Sequence, residues 1–395
     1  MLPSWVPAAG ASATYNGGGS VLTNNWRATH DPTAIGYDAF YSAKINAAYS
    51  SQVTHQTWRT HGGIVFFGGG HSGTNYNGGH ILTLAQSTMY YECLWTPFDW
   101  AATLDNGNIE SEVNSYGEAT GSSPLRVAGP HSYGGDVIDG FYTQAISLAY
   151  TYTGSDLIAQ AAHEIDLTNP ATSYSTRAWV RRTNSVGAWT GTAAPVISRY
   201  VASQDRIYMM TRGGGNLKWF DRAANTWITG SNAGWGYDAS DTDGGDPKTG
   251  ALVAVAARNL LLGCYRTSGN LVVQYIDTTL SQPTVATATL DTSLAMPVDG
   301  CKAISWCPDN SKLLVFGVTS NLDRCYEITI PATVTNTWTV ASAVISGDPF
   351  PADNPVGIWG KCDYVTACKV IVIPSPLKDA AGGNDSAWVY RPRNT

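Results

Sequence analysis

Residues 196–229 read VISRYVASQDRIYMMTRGGGNLKWFDRAANTWIT. Four short runs are set off there by turn formers. An entry strand runs through residues 198–200 and a second through 206–211. The Gly triplet at 213–215 makes a turn, LKWFD at 217–221 is a third strand, and Trp227 marks a fourth. The unit is therefore two hairpins, with no stretch long enough or periodic enough for a helix.

Outward from this unit the same order recurs. The run GGIVFFGGGHSGTNYNGGHILTLAQSTMYYECLW occupies residues 62–95. A second unit reads HSYGGDVIDGFYTQAISLAYTYTG (131–154), then HEIDLTNPATSYSTRAWVRR (163–182). GALVAVAARNLLLGCYRTSGNLVVQYID follows at 250–277 and CKAISWCPDNSKLLVFGVTSNLDRCYEITI at 301–330, the latter ending at Trp338. The last comprises GIWGKCDYVTACKVIVIP (357–374) and DSAWVYRP (385–392). Four-stranded repeats of about 40–50 residues are the mark of a β-propeller. One blade cannot bury both its faces alone, so blades stack around an axis and the ring must close. The expected fold is all-β: a single propeller over residues 1–395, with six blades traceable. A seventh would have to come from residues 11–58 or 98–126, polar stretches that read as long loops. SWVPAAG at 4–10 is the expected closing strand, beside residues 387–391. Residues 38–48 and 158–164 are the two segments with helical character, and the second reads equally well as a strand.

Composition agrees. The chain of 395 residues holds 41 Gly, 14 Trp and 21 Tyr, against 5 Met and 8 Phe, which suits tight turns and half-buried pleated surfaces. Only 23 residues are Lys or Arg, the net charge is −7, and no basic run occurs, so a nucleic-acid partner is not expected. No apolar run approaches the about 20 residues of a membrane-spanning helix, so no membrane insertion is expected. The opening MLPSWVPAAG has neither a basic nor an apolar signal region. Seven cysteines (Cys93, Cys264, Cys301, Cys307, Cys325, Cys362 and Cys368) lack CxxC spacing. Buried thiols, disulfides and metal ligation stay open for them, in that order.

All seven histidines fall within the first 163 residues, so a histidine-based site would belong to the first two blades. His71 follows a Gly triplet and His131 follows Gly-Pro. Either could transfer protons near neutral pH, or simply cap a blade turn. A metal held by His71, His80 and His131 is a further reading without supporting spacing. Entry positions of the inner strands should face the central channel: Tyr133, Arg199, Tyr200, Tyr237, Lys302, Trp306, Trp359 and Lys361. Aromatic rings there would stack on sugars, and cations would pair with uronate carboxylates. Packing of the same rings between blades is the plainer alternative. Residues 238–246, DASDTDGGD, offer Asp238, Asp241, Asp243 and Asp246 to Ca²⁺ but read better as a turn.

GGGHSGTNYNGG at 68–79 resembles the Gly-Gly-Gly-His…Tyr-x-Gly-Asn signature of bacterial and phage kelch-like propellers, with Tyr76 in the tyrosine place. GPHSYGG at 129–135 resembles their Arg-His-Thr-Tyr-x-Gly segment, and the opening residues resemble phage-encoded members. Extra residues separate His71 from Tyr76, Gly79 stands for the expected Asn, and Gly129-Pro130 replaces the basic residue before His131. The resemblance implies a virion- or surface-associated propeller that binds a glycan or cell-surface receptor and contacts other virion proteins. Ulvan-type polysaccharide lyases share the general appearance. By that likeness Arg199 would neutralise a uronate, His131 or Tyr200 would take the adjacent proton, and Tyr133 would protonate the leaving oxygen. His71 completes that set. Fold alone does not carry function across.

Overall fold

The computed structural model describes residues 1–16, 50–68, 78–95, 114, 116–119, 121–127, 135–144, 147–150, 156–159, 161–182, 196–211, 215–236, 250–296, 303–318, 321–351, 362–374 and 386–394. Strand β1 (Ala11–Asn16) opens the chain. Blade 1 is β2 (Ser50–His55), β3 (Gly63–Gly68), β4 (Gly79–Leu84) and β5 (Met89–Trp95). Blade 2 takes β6 (Asp136–Ile138), β7 (Phe141–Gln144), β10 (His163–Asp166) and β11 (Trp179–Arg181). A separate hairpin of β8 (Ser147–Tyr150) and β9 (Asp156–Ala159) lies between β7 and β10 in the chain. Blade 3 comprises β12 (Val196–Val201), β13 (Arg206–Thr211), β14 (Asn216–Asp221) and β15 (Thr226–Ala233). Blade 4 comprises β16 (Gly250–Val255), β17 (Leu260–Thr267), β18 (Asn270–Asp277) and β19 (Ala286–Thr287). Blade 5 is β20 (Ala303–Cys307), β21 (Lys312–Phe316), β22 (Arg324–Thr329) and β23 (Thr339–Val344). The short β24 (Ser346–Gly347) then pairs parallel with β1. Blade 6 is β25 (Asp363–Val365), β26 (Val370–Pro374) and β27 (Ser386–Tyr390), completed by β1. Helical geometry among the described residues is confined to two single 3₁₀ turns, Ala202–Gln204 and Ala256–Arg258.

Ring closure follows from two sets of contacts. The inner strands touch in the cycle β2, β6, β12, β16, β20, β25 and back to β2. Six apolar clusters occupy the six interfaces between neighbouring blades. Trp95 and Trp179 meet edge to face at 5.1 Å between blades 1 and 2, and Tyr275 stacks on Trp338 at 5.9 Å between blades 4 and 5. Middle strands such as β4, β26 and β27 are buried along their whole length because a neighbouring blade covers each face. That double covering replaces the in–out alternation of a half-solvated sheet with continuous apolar runs. Some rings fit only over a missing side chain. A Cβ on Gly263 would stand 2.5 Å from the Trp235 ring.

The closing strand differs from expectation. β1, not residues 4–10, pairs antiparallel with β27, Ser12 opposite Tyr390 and Asn16 opposite Ser386. The earlier segment is tied to blade 1 instead: Trp5 is buried, its indole N–H donates to the Ala85 carbonyl at 2.8 Å, and the Tyr15 hydroxyl donates to the Trp5 carbonyl. Apolar character thus marks an anchor across the seam, while the more polar ASATYN supplies the ladder. The loop reading of 11–58 also needs correction. It contains β1 and β2; the described part of 98–126 holds no strand, only an isolated bridge from Glu118 to Val127. Of residues 158–164, 158–159 end β9 and 163–164 begin β10, so the described ends of that segment are strand; residues 38–48 lie outside the described residues. Six cysteines are buried free thiols, and burial pushes that of Cys264 up to about 12. Cys301 lies outside the described residues.

Candidate functional site

Each inner hairpin turns through a residue in the left-handed region, and this turn sets the site. Asp205, Asn259, Ser311 and Lys369 hold φ of 50°, 51°, 55° and 59° in blades 3 to 6. In blade 2, Asp139 and Gly140 share the turn, both with positive φ. Counted back from the left-handed residues of blades 3 to 6, Tyr200, Ala254, Trp306 and Tyr364 stand five places earlier. Arg199, Val253, Ser305 and Asp363 stand six places earlier. The ring places equivalent positions at equal depth. Three aromatics therefore come from blades 3, 5 and 6, and an arginine and an aspartate from blades 3 and 6, which face each other in a six-membered ring.

A cavity of about 290 Å³ lies where the inner strands finish, and every blade contributes to its wall. Val53, Thr54 and Gln56 come from blade 1, Asp136 and Val137 from blade 2, and Arg199 and Tyr200 from blade 3. Val253 and Ala254, Trp306 and Pro308, then Asp363, Tyr364 and Thr366 complete the circuit from blades 4, 5 and 6. Its floor is an ion pair spanning the channel. Arg199 Nη1 lies 3.1 Å from Asp363 Oδ2, which also accepts the Thr54 amide at 3.3 Å. Arg199 Nε donates to the Leu252 carbonyl at 3.1 Å. One guanidinium and one carboxylate thus tie together blades 1, 3, 4 and 6. Burial works against the Arg199 cation, but Asp363 and Asp136 outweigh it and hold the guanidinium above its usual range.

Asp136, 3% exposed, accepts from the Ser198 hydroxyl at 3.0 Å and the Tyr200 amide at 3.1 Å. Burial pushes its carboxyl up to about 6, against the pull of Arg199 and of those two hydrogen bonds. Tyr200 donates its hydroxyl to Asp205 at 3.0 Å, and Arg222 holds the same carboxylate at 2.6 Å. Burial and then Asp205 raise the Tyr200 phenol, which opposes loss of its proton. The Thr54 hydroxyl, on the cavity wall, is buried with no hydrogen-bond partner among the described residues, while burial and the neighbouring Cys307 and Asp309 raise the Tyr364 phenol.

Of the residues singled out in the sequence, Arg199, Tyr200 and Trp306 meet at this cavity. His71, Tyr76, His131, Tyr133, Tyr237, Lys302, Trp359 and Lys361 lie outside the described residues, as do Asp238, Asp241, Asp243 and Asp246. Gly68, the last described residue before His71, pairs with Ser50 at the opposite end of blade 1 from Gln56. His80 is buried in β4, and burial lowers its imidazole to about 3. Asp136, Asp363, Tyr364, Thr54 and Gln56 escaped the sequence reading. The signal for Asp363 and Tyr364 was present as a fixed count back from each inner turn. Asp136 had none beyond its place after Gly134-Gly135.

No protein-family model matches this chain, and no curated protein matches it. Among solved structures it is similar to YjhT, at 10% identity over 87% of this chain and 94% of that one, with a TM-score of 0.47. The major Malassezia sympodialis allergen Mala s 1 gives 10% identity, 88% and 92% coverage and a TM-score of 0.47. An auxiliary nutrient binding protein from Bacteroides thetaiotaomicron VPI-5482 gives 7% identity, 88% and 69% coverage and a TM-score of 0.42. The six-bladed propeller assignment rests on the strand ladders and the closed ring of inner strands, not on these likenesses.

Proposed function

We propose that this propeller is a glycan-binding protein that seats a sugar in the mouth of its central channel. One observation carries the reading: a cavity of about 290 Å³ whose wall alternates ring faces with hydrogen-bonding groups from several blades. Its size is at the small end of the about 300–1,000 Å³ of small-molecule sites. Sugars present apolar C–H faces and a rim of hydroxyls. Trp306 and Tyr200, both half-buried, supply surfaces for the first, and Gln56 and Asp363 supply acceptors for the second. Binding without turnover is the better-supported form. A β-elimination would need Arg199 to take a uronate and His131 or Tyr200 to take the adjacent proton; Arg199 is engaged by Asp363 and the Tyr200 hydroxyl donates to Asp205, while His131 lies outside the described residues. The kelch-like motif residues and the phage-like opening favour a virion or cell-surface setting for this binding, with a surface glycan or receptor as partner.

A glycan array followed by calorimetric titration tests the reading, with polymer length and ultraviolet absorbance followed alongside. Saturable binding with unchanged polymer length is expected. New absorbance from unsaturated sugar ends would establish the lyase instead. Absence of binding across neutral, amino and uronate glycans by folded protein would remove the proposal.

A further inference from the structure

We propose that the channel mouth selects glycan units bearing a free ammonium group, cationic amino sugars, over their neutral and uronate counterparts. This rests on the glycan reading above and names the chemical class it takes. Among the described residues, three charged side chains line the cavity: Asp136, Asp363 and Arg199. Two carboxylates against one guanidinium leave it one negative charge in excess when Asp136 is ionised. Among the described residues, the charged groups next to it balance and leave that excess unchanged: behind Tyr200, Asp205 and Glu164 share Arg222 and Glu164 also pairs with Arg182, and in the neighbouring inner turns Asp309 pairs with Lys369.

The disposition of the charges matters more than their sum. Arg199 is committed through Nη1 to Asp363 and through Nε to the Leu252 carbonyl, and Asp136 shares its field. An arriving uronate would compete with Asp363 for Arg199 while facing Asp136. An ammonium has the opposite experience. Asp363 receives both of its hydrogen bonds on Oδ2, from Arg199 and the Thr54 amide. Its Oδ1 accepts none among the described residues and is available to a donor. The negative faces of aromatic rings also attract cations, and three aromatic residues line this cavity. A cation would in turn favour the ionised form of Asp136. The buried Thr54 hydroxyl, with no hydrogen-bond partner among the described residues, marks the same wall as short of polar partners.

The test is calorimetric titration of the full chain at pH 6.5 and low salt with four tetrasaccharides: glucosamine, N-acetylglucosamine, glucose and galacturonate oligomers. The first two share one backbone and differ in the charge and bulk at nitrogen. The glucosamine tetramer should bind about tenfold tighter than its acetylated and neutral counterparts, a difference that added salt diminishes. The galacturonate tetramer should bind weakest. Asp136→Asn and Asp363→Asn should each erase most of the preference, and Asp136→Asn leaves the cross-channel ion pair intact should the second variant fold poorly. Equal or tighter binding of the acetylated, neutral or uronate tetramer would overturn the charge selection while leaving a glycan site in place. No binding by any of the four would overturn both.

Discussion

Removing one partner of the cross-channel ion pair should destabilise the whole ring. The Arg199 and Asp363 side chains are 17% and 22% exposed and 3.1 Å apart, so solvent screening is limited. At about 4 Å between charge centres and an effective dielectric of about 20, the attraction is on the order of 4 kcal/mol. In Asp363→Ala, Arg199 keeps the Leu252 carbonyl and the field of Asp136, which recover part of the loss. A net cost of about 2–3 kcal/mol is expected, compared with about 3–5 for a fully buried pair broken on one side. Unfolding entropy of about 2.1 cal/mol/K per residue is roughly 0.8 kcal/mol/K for a chain of this length, so the cost is a fall in Tm of about 3–4 °C. Arg199→Met should cost a similar amount, because it leaves two carboxylates facing one another. The double variant Arg199→Met/Asp363→Ala should cost clearly less than the sum of the singles, with a coupling of about 2 kcal/mol in urea denaturation. Additive single effects, or a coupling below about 0.5 kcal/mol, would refute the brace.

Three further outcomes follow from other contacts. The Asp136 carboxyl, held at about 6 when folded against an ordinary 3.8, contributes stability that is complete below about pH 4 and is lost as pH rises through about 6. The span is on the order of 3 kcal/mol, so denaturation midpoints measured from pH 4 to 7 should fall in the wild type and fall less in Asp136→Asn. Gly263→Ala should cost about 1–3 kcal/mol, visible as a lower urea midpoint, because the new Cβ meets Trp235 at 2.5 Å. Deleting residues 1–16 removes the strand that completes blade 6 and the Trp5 anchor, so the truncated chain should show a broadened thermal transition and a rise in association by light scattering. An unchanged, monomeric transition would show that β1 does not hold the ring closed.

Blades 3 to 6 were legible because their strands carry long apolar runs that end at Gly, Asn and Asp, and because the blade interfaces use Trp. Blade 1 was harder to read from its first strand. SSQVTH, residues 50–55, is mostly polar, since one side of an innermost strand faces the channel and only the other faces apolar neighbours. Such a strand looks like a loop until the channel is known. The closing strand was placed several residues early for the opposite reason: Trp5 and Val6 suggested a ladder, but their burial serves an anchor against blade 1. At the site, Arg199, Tyr200 and Trp306 were found through their entry-strand positions. Asp363 was missed because its importance is a long-range property: a carboxylate far along the chain that meets Arg199 only once the ring closes.

The glycan seat itself is tested most directly by titrating wild-type protein and Trp306→Ala with the tightest-binding oligosaccharide, after circular dichroism shows the variant folded. Trp306 lies on the cavity wall, outside the cross-channel ion pair. Truncating a central aromatic contact of a binding site typically costs about 2 kcal/mol or more, so affinity should fall at least tenfold. An affinity unchanged within twofold would contradict the claim that sugars bind at the mouth of this channel.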